Sequence, residues 1–250
     1  MTIAIITGGS RGLGKSTALH LADRGVDIIL TYNSKQAEGD KVVKEIIGKG
    51  RKAVALQLDV TNSASFPGFV TAVKQSLQSN WRRVDFDFLV NNAGSGIHAS
   101  FMETSEEQFD QLMKMHLKAP FFLSQKLLPL MKDGGRIINV SSGLARFSFP
   151  GYSAYATMKG GVEVLSRYMA KELGKRKITV NTIAPGAIAT DFGGGAVRDN
   201  KELNSTIASQ TALGRVGLPG DIGGAISMLL LDESGWINGQ RIEASGGMLL

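Results

Sequence analysis

The chain has 250 residues, with 28 Lys and Arg against 22 Asp and Glu, a formal net charge of +6 at pH 7 and no cysteine. Disulfides and thiolate metal sites are therefore excluded, and His20, His98 and His116 lie too far apart in sequence to form a paired-ligand motif. The basic residues are dispersed and their densest group, "KELGKRK" at 171–177, fits a helix C-terminus, so no nucleic-acid partner is expected and the positive field suits anionic small molecules.

In chain order, "IAIIT" at 3–7 is a short apolar run with no basic residues before it, and reads as a buried strand, not a signal peptide. The Gly-rich stretch "TGGSRGLG" follows, then a helical pattern over 12–24 and a strand, "DIILTY", at 27–32. A helix over 35–49, the strand "KAVALQLDV" (52–60), a helix over 63–79 and the strand "FDFLVNN" (86–92) continue the alternation. A long helical pattern at 105–131 leads to "GRIINVS" (135–141), a helix over 152–174 and "ITVNTIAP" (178–185). A helix over 219–231 and the strand "RIEA" (241–244) close the series, and the final "GGMLL" suits a buried tail. Strands alternating with helices predict an α/β fold with a parallel sheet. The near-continuous apolar character of the strands predicts helices on both faces. Without linker, repeat or low-complexity tract, residues 1–250 read as a single domain. The segment 186–215 is the least regular; its Gly193-Gly194-Gly195 run signals a hinge, and its length a lid or binding loop. No apolar run approaches the roughly 18 residues needed to span a bilayer, so a soluble, cytoplasmic protein is expected.

The Gly-rich stretch sits in the first βα unit, where a helix N-terminus presents free N–H groups to phosphate. Its glycines, at 8, 12 and 14, do not follow the strict G-x-G-x-x-G spacing, so the residues alone leave a plain strand-to-helix turn open.

Several motifs occur together in the order and spacing of one family. "TGGSRGLG", "LDV" at 58–60, "NNAG" at 91–94, Ser142 with "YATMK" at 155–159, and "PGAIATD" at 185–191 resemble the short-chain dehydrogenases/reductases over essentially the whole chain. The tail and layout look like 3-oxoacyl-carrier-protein reductases and related ketoreductases. The resemblance implies a Rossmann-type, doubly wound, seven-stranded parallel sheet binding NAD(H) or NADP(H). By position, Gly8, Ser10, Arg11, Gly12, Leu13 and Gly14 would wrap the pyrophosphate and adenosine ribose. Asp59 and Val60 would flank the adenine, and Asn91, Ala93 and Gly94 would line the cofactor. Pro185, Gly186, Ile188 and Thr190 would hold the nicotinamide end, and a homotetramer is implied, with the helices at 105–131 and 152–174 forming one interface and the C-terminal strand region another.

NAD(H) specificity commonly uses an acid about 20 residues past the Gly-rich turn. Here the second strand runs on into Asn33, Ser34 and Lys35, and no acid appears before Glu38. Arg11 and Lys35 would attract a 2′-phosphate, so NADP(H) is the expected cofactor, with NAD(H) possible.

Tyr155 and Lys159 are four apart and share a helix face, and Ser142 ends a strand at the ligand-binding edge. A phenol has a pKa near 10. A cation about 4 Å away, at an effective dielectric near 20, could bring it into the neutral range. The expected chemistry is hydride transfer between the cofactor and a ketone or secondary alcohol, with Tyr155 as acid or base and Ser142 on the substrate oxygen. Lys159 would tune Tyr155 and bind the nicotinamide ribose. A 3-oxoacyl thioester reductase and a catalytically silent dinucleotide-binding regulator are the rival readings. The chain departs from the family at His116, in "MKMHLKAPFF", where a catalytic Asn is usual. The Asn acts partly through a helix distortion, which His could preserve, and the ring could join a proton relay because imidazole titrates near neutrality. His98 stands near the substrate mouth or in a plain loop; Phe147, Phe149 and Tyr152 either wall the substrate pocket or pack beneath the 186–215 segment.

Overall fold

Runs such as Ile3-Ala4-Ile5-Ile6 and Ile28-Ile29-Leu30 are apolar at consecutive positions, so a strand made from them must be covered on both sides. The computed structural model, which describes residues 1–231 and 234–250, does this with seven strands. These are β1 (Thr2–Ile6), β2 (Val26–Tyr32), β3 (Ala53–Gln57), β4 (Phe86–Asn91), β5 (Met131–Val140), β6 (Thr179–Pro185) and β7 (Arg241–Ala244). They pair in parallel in the order β3-β2-β1-β4-β5-β6-β7. The helices are α1 (Gly12–Asp23), α2 (Gln36–Gly48), α3 (Phe66–Ser76), α4 (Glu106–Met113), α5 (Ala119–Leu127), α6 (Ser153–Leu173), α7 (Ala196–Asp199), α8 (Lys201–Ser209) and α9 (Pro219–Leu230). Side chains alternate between two cores: Ile3 and Ile5 join Phe66, Leu123 and Ala170 of α3, α5 and α6, whereas Ala4 and Ile6 join Leu21, Val42 and Ile226 of α1, α2 and α9. Among the described residues, no helix is long and apolar enough to cross a membrane.

Several boundaries differ from the sequence reading for identifiable reasons. The strand expected over 52–60 stops at Gln57, because Asp59 turns its carboxylate onto the backbone N–H and hydroxyl of Thr61 at 2.9 and 2.7 Å. The helix expected over 105–131 is broken into α4, a π-helical turn at Lys114–Lys118, α5 and a 3₁₀ turn at Leu128–Leu130. Pro120 lacks the N–H that would donate to the carbonyl of His116 four residues back, and the turn widens there. The segment 186–215 is more regular than its composition suggested and contains α7 and α8. Of the tail, only Met248 is buried, while Leu250 is 97% exposed.

The strand order reverses between β1 and β4, so the loops leaving their carboxyl ends diverge and open a crevice. Beneath it a buried polar ladder ties the central strands to α6. Asn91 donates both amide protons, to Ser124 Oγ at 2.9 Å and Asn139 Oδ1 at 2.7 Å, and Asn139 donates to Ser166 Oγ at 2.8 Å. Replacing Asn139 by Ala would orphan partners on both sides. We predict a loss of about 1–3 kcal/mol, read as a lower urea midpoint with an unchanged slope.

Candidate active site

A parallel sheet delivers the loop after each strand to the same edge, and here the loops after β1, β4, β5 and β6 converge. Thr7, just past β1, accepts at Oγ1 from the N–H groups of Asn92 (2.9 Å) and Ala93 (3.0 Å). The Asn92 amide donates back to the carbonyls of Thr7 (2.8 Å) and Gly8 (3.2 Å). Gly8 is held in turn by Thr31 Oγ1 at 3.0 Å. The turn needs glycine: Gly8 has φ +64°, and a Cβ on Gly14 would collide with the Gly8 carbonyl and the Asn92 side chain. Arg11, the N-cap of α1, makes no side-chain cap hydrogen bond, so no side chain of that residue occupies the amides at the helix head. Helix-start amides behind a turn with glycine at 8, 9, 12 and 14 suit a pyrophosphate.

The other residues expected around a dinucleotide divide into open and committed groups. Asn33, Ser34 and Asp59 are exposed past the ends of β2 and β3. Val60 borders a small cavity with Thr7, Asn91, Ala93 and Met115. Ser10 is half-buried and Gly12 stands across from Thr190, whose methyl lies 3.9 Å from where a Gly12 Cβ would be. Leu13 and Ile188 are partly buried and pack against the core formed by α1 and α9. Asn91 is spent in the ladder. Pro185 closes β6, and Gly186 abuts Ser245, its N–H donating to Ala244 O at 3.2 Å. Arg11 lies 3.7 Å from Asp191, and Lys35 is paired with Glu38 at 3.4 Å, so neither cation is unaccompanied.

Ser142 follows β5 directly, and Tyr155 and Lys159 project from the first turns of α6. Tyr155 and Lys159 are both 6% exposed. The Lys159 Nζ donates to the carbonyl of Val140 at 2.7 Å and stands 5.5 Å from the centre of the Tyr155 ring. Burial pushes the Tyr155 hydroxyl well above the ordinary phenol range, against a hydrogen bond with Ser142 that pulls it down. Burial likewise brings the Lys159 amine down to about 7. The expected pull of the ammonium on the phenol is thus outweighed by desolvation: the cation it needed is itself close to losing its charge.

His116 is buried in the π-helical turn, its ring edge-on to Tyr155 at 5.0 Å. Its Nε2 donates to the carbonyl of Ser95 at 2.7 Å, which leaves Nδ1 as a buried acceptor with no partner among the described residues. Gly94 makes room for this ring, since a Cβ there would lie 2.7 Å from His116 Cε1. Burial first, and the Lys159 charge second, hold the ring's pKa at about 3 despite the Ser95 contact. The imidazole is therefore neutral throughout the physiological range, and titration near neutrality no longer argues for its place in a proton relay.

Nearby, Phe192 stands 5.7 Å from Tyr155, and His98 meets Tyr152 edge-on at 5.1 Å. Phe147 and Phe149 instead pack with Ile207, Val216 and Met248 beneath the 186–215 segment. The sequence reading passed over Thr7, Asn92, Ser95 and Phe192. A Thr ending β1 opposite the doubled Asn of "NNAG" was a usable signal for the first two; the others depend on folds of loops that no local pattern announces.

A family model described as enoyl-(acyl carrier protein) reductase matches residues 8–249. A hydroxynaphthalene reductase-like protein, Arp2 of Metarhizium brunneum, is 36% identical over 98% of this chain and 94% of its own length. Among solved structures, the promiscuous reductase LugOII, described as catalysing keto-reduction at C1 in lugdunomycin biosynthesis, superimposes with a TM-score of 0.95 at 38% identity, covering 100% of this chain and 98% of the other. The angucycline C-6 ketoreductase LanV, with bound NADP, superimposes with a TM-score of 0.94 at 33% identity, covering 99% and 95%. The chain belongs to the short-chain dehydrogenase/reductase family and is an oxidoreductase.

The burial of His116 has a thermodynamic signature. Its folded pKa, about 3, lies below the unfolded value of 6.5, so between them the unfolded chain binds one more proton and stability falls as pH is lowered. From pH 7 to pH 5 the wild type should lose about 2 kcal/mol more than His116→Asn, measured by urea titration at both pH values. Equal losses would mean that the ring takes up a proton inside the fold.

Proposed function

We propose that this oxidoreductase is an NADPH-dependent ketoreductase acting on a carbonyl carried by a flat ring system. The observation that carries the reading is the convergence of Ser142, Tyr155 and Lys159 in one dry spot beside a Gly-rich turn braced against the loop after β4. A fully protonated Tyr155 is the state required of a general acid: it keeps its proton until negative charge develops on the carbonyl oxygen, then gives it up. Ser142, hydrogen-bonded to the same phenol, presents its hydroxyl to that oxygen, an interaction that strengthens as charge grows. Lys159, with an amine near neutrality, can take a proton and stabilise the phenolate left behind. When bound, the cofactor supplies the hydride. Gly8, Ser10, Gly12, Gly14 and the α1 amides would hold its pyrophosphate, Arg11 the 2′-phosphate on its adenosine ribose, Asp59 and Val60 its adenine, Ala93, Gly94 and Lys159 its nicotinamide ribose, and the loop from Pro185 to Thr190 its nicotinamide.

NADP(H) over NAD(H) is supported by the absence of a carboxylate at the end of β2, by the exposed and only loosely paired Arg11, and by the cofactor bound in LanV. A ring ketone is supported by the aromatic entrance of Phe192, Tyr152 and His98, and by the chemistry named for the relatives. The 186–215 segment would act as the lid over it, within one domain. Phe121 and Phe122 of α5 with Val164 and Tyr168 of α6 are exposed apolar side chains that support a homotetramer; a cytoplasmic location goes with the family reading. Reduction of the 3-oxo group of an acyl thioester is the second reading, supported only by the acyl-carrier class of substrate that the matching family model names.

The test is NADPH oxidation with a bicyclic aromatic ketone, such as a tetralone, and with an acetoacetyl thioester. Turnover of the ring ketone is expected, and turnover of the thioester alone would move the assignment to the second reading. Tyr155→Phe should lower kcat at least about 100-fold with NADPH binding retained. Arg11→Ala should raise KM for NADPH roughly tenfold, the weight of one charge-assisted contact, and leave KM for NADH unchanged.

A further inference from the structure

Behind the catalytic groups, four side chains of alternating charge link elements that the chemistry above leaves unconnected. Arg146 grips Glu243 of β7 through Nε at 2.8 Å and an Nη nitrogen at 2.7 Å. Glu243 also accepts from Arg241 at 2.9 Å, and the Nε of Arg241 donates to Glu163 of α6 at 2.8 Å. Glu163 accepts the hydroxyl of Ser141 at 2.7 Å, and that hydroxyl lies 3.4 Å from the carbonyl of Lys159. Arg241 reaches the carbonyl of Ser142 at 3.4 Å. At the other end, Arg146 donates to the carbonyls of Met248 and Leu249 at 2.9 and 3.2 Å, and so ties the C-terminal segment to the loop that follows Ser142.

Lone surface ion pairs restrict little. This set differs: the Glu163 and Glu243 side chains are only 13% and 18% exposed, each carboxylate is held by two or more donors, and one grip is bidentate. Its inner end meets the site twice. Glu163 is one helical turn beyond Lys159, and Ser141 is the residue before Ser142.

We infer that Glu163 and Arg241 are positioning residues that set the strand end bearing Ser142 against the helix bearing Tyr155 and Lys159, and that the C-terminal segment belongs to the same brace through Arg146 and Glu243. The inference rests on the catalytic reading of those three side chains, but its structural half can be measured without turnover.

Glu163→Gln keeps an acceptor for Ser141 and removes the charge facing Arg241. In this variant kcat should fall roughly tenfold with KM for NADPH essentially unchanged. The backbone amides of 141–147 should exchange hydrogen faster in the protein without added cofactor. Arg241→Gln should do the same, and the double variant should be no slower than the slower single one, because the two act as one unit. Arg146→Gln, at the exposed end, should produce a smaller change in the same direction and serves if an inner variant fails to fold. A lowered Tm with kcat and exchange at 141–147 unchanged, in Glu163→Gln or in Arg146→Gln, would make the chain merely structural and overturn the inference. Should the wild type reduce no ketone, the catalytic reading fails by itself, and faster exchange in the variants would still uphold the brace.

Discussion

The molecule depends on a lysine amine buried away from water with, among the described residues, one hydrogen-bond acceptor, the carbonyl of Val140. Removing an ammonium from water is costly, and one neutral hydrogen bond does not restore what hydration supplied. The same dehydration acts on its two neighbours. It raises the Tyr155 hydroxyl and depresses both the Lys159 amine and the His116 ring, so one physical cause drives three titratable groups toward their uncharged forms. A site at rest with little charge of its own responds strongly to charge that appears during reaction, because nothing nearby screens it.

The fold keeps this costly region apart from the places where it secures itself. At the amino edge of the sheet, Asp27 is fully buried yet satisfied by Arg51 at 2.8 Å, the Trp81 indole at 2.8 Å and the N–H of Lys52 at 3.0 Å. Asp87 similarly takes Arg83 and the N–H of Ile3, both at 2.8 Å. Buried charges are well paired at that edge, whereas the carboxyl edge keeps an underserved amine and an orphaned imidazole nitrogen. Parallel strands make this division possible, since every loop that could carry chemistry leaves from one side.

How much of this was legible in the sequence depended on whether the cause was local. The β strands announced themselves because both faces are buried and the apolar runs are unbroken, and the spacing of Tyr155 and Lys159 placed both on the head of one helix. Element ends were less accessible: Asp59 reads as strand until its carboxylate is seen folding back on Thr61. The amphipathic period of 105–131 runs straight through Pro120, so the widened turn was hidden by a pattern that packing preserves. Electrostatics were misjudged because proximity can be read from spacing, but dehydration cannot. Ser141 carries no signal of its own in the sequence, yet it is the contact through which Glu163 reaches the strand end.

The π-helical turn separates two things that a single residue could be credited with. Its shape is enforced by an imino acid at 120, whereas the ring that touches Tyr155 and the 94–95 loop belongs to position 116. Backbone form and side-chain chemistry are thus encoded four residues apart. In evolutionary terms the two can drift independently, which makes position 116 a place where lineages can exchange one side chain for another without rebuilding the scaffold beneath it.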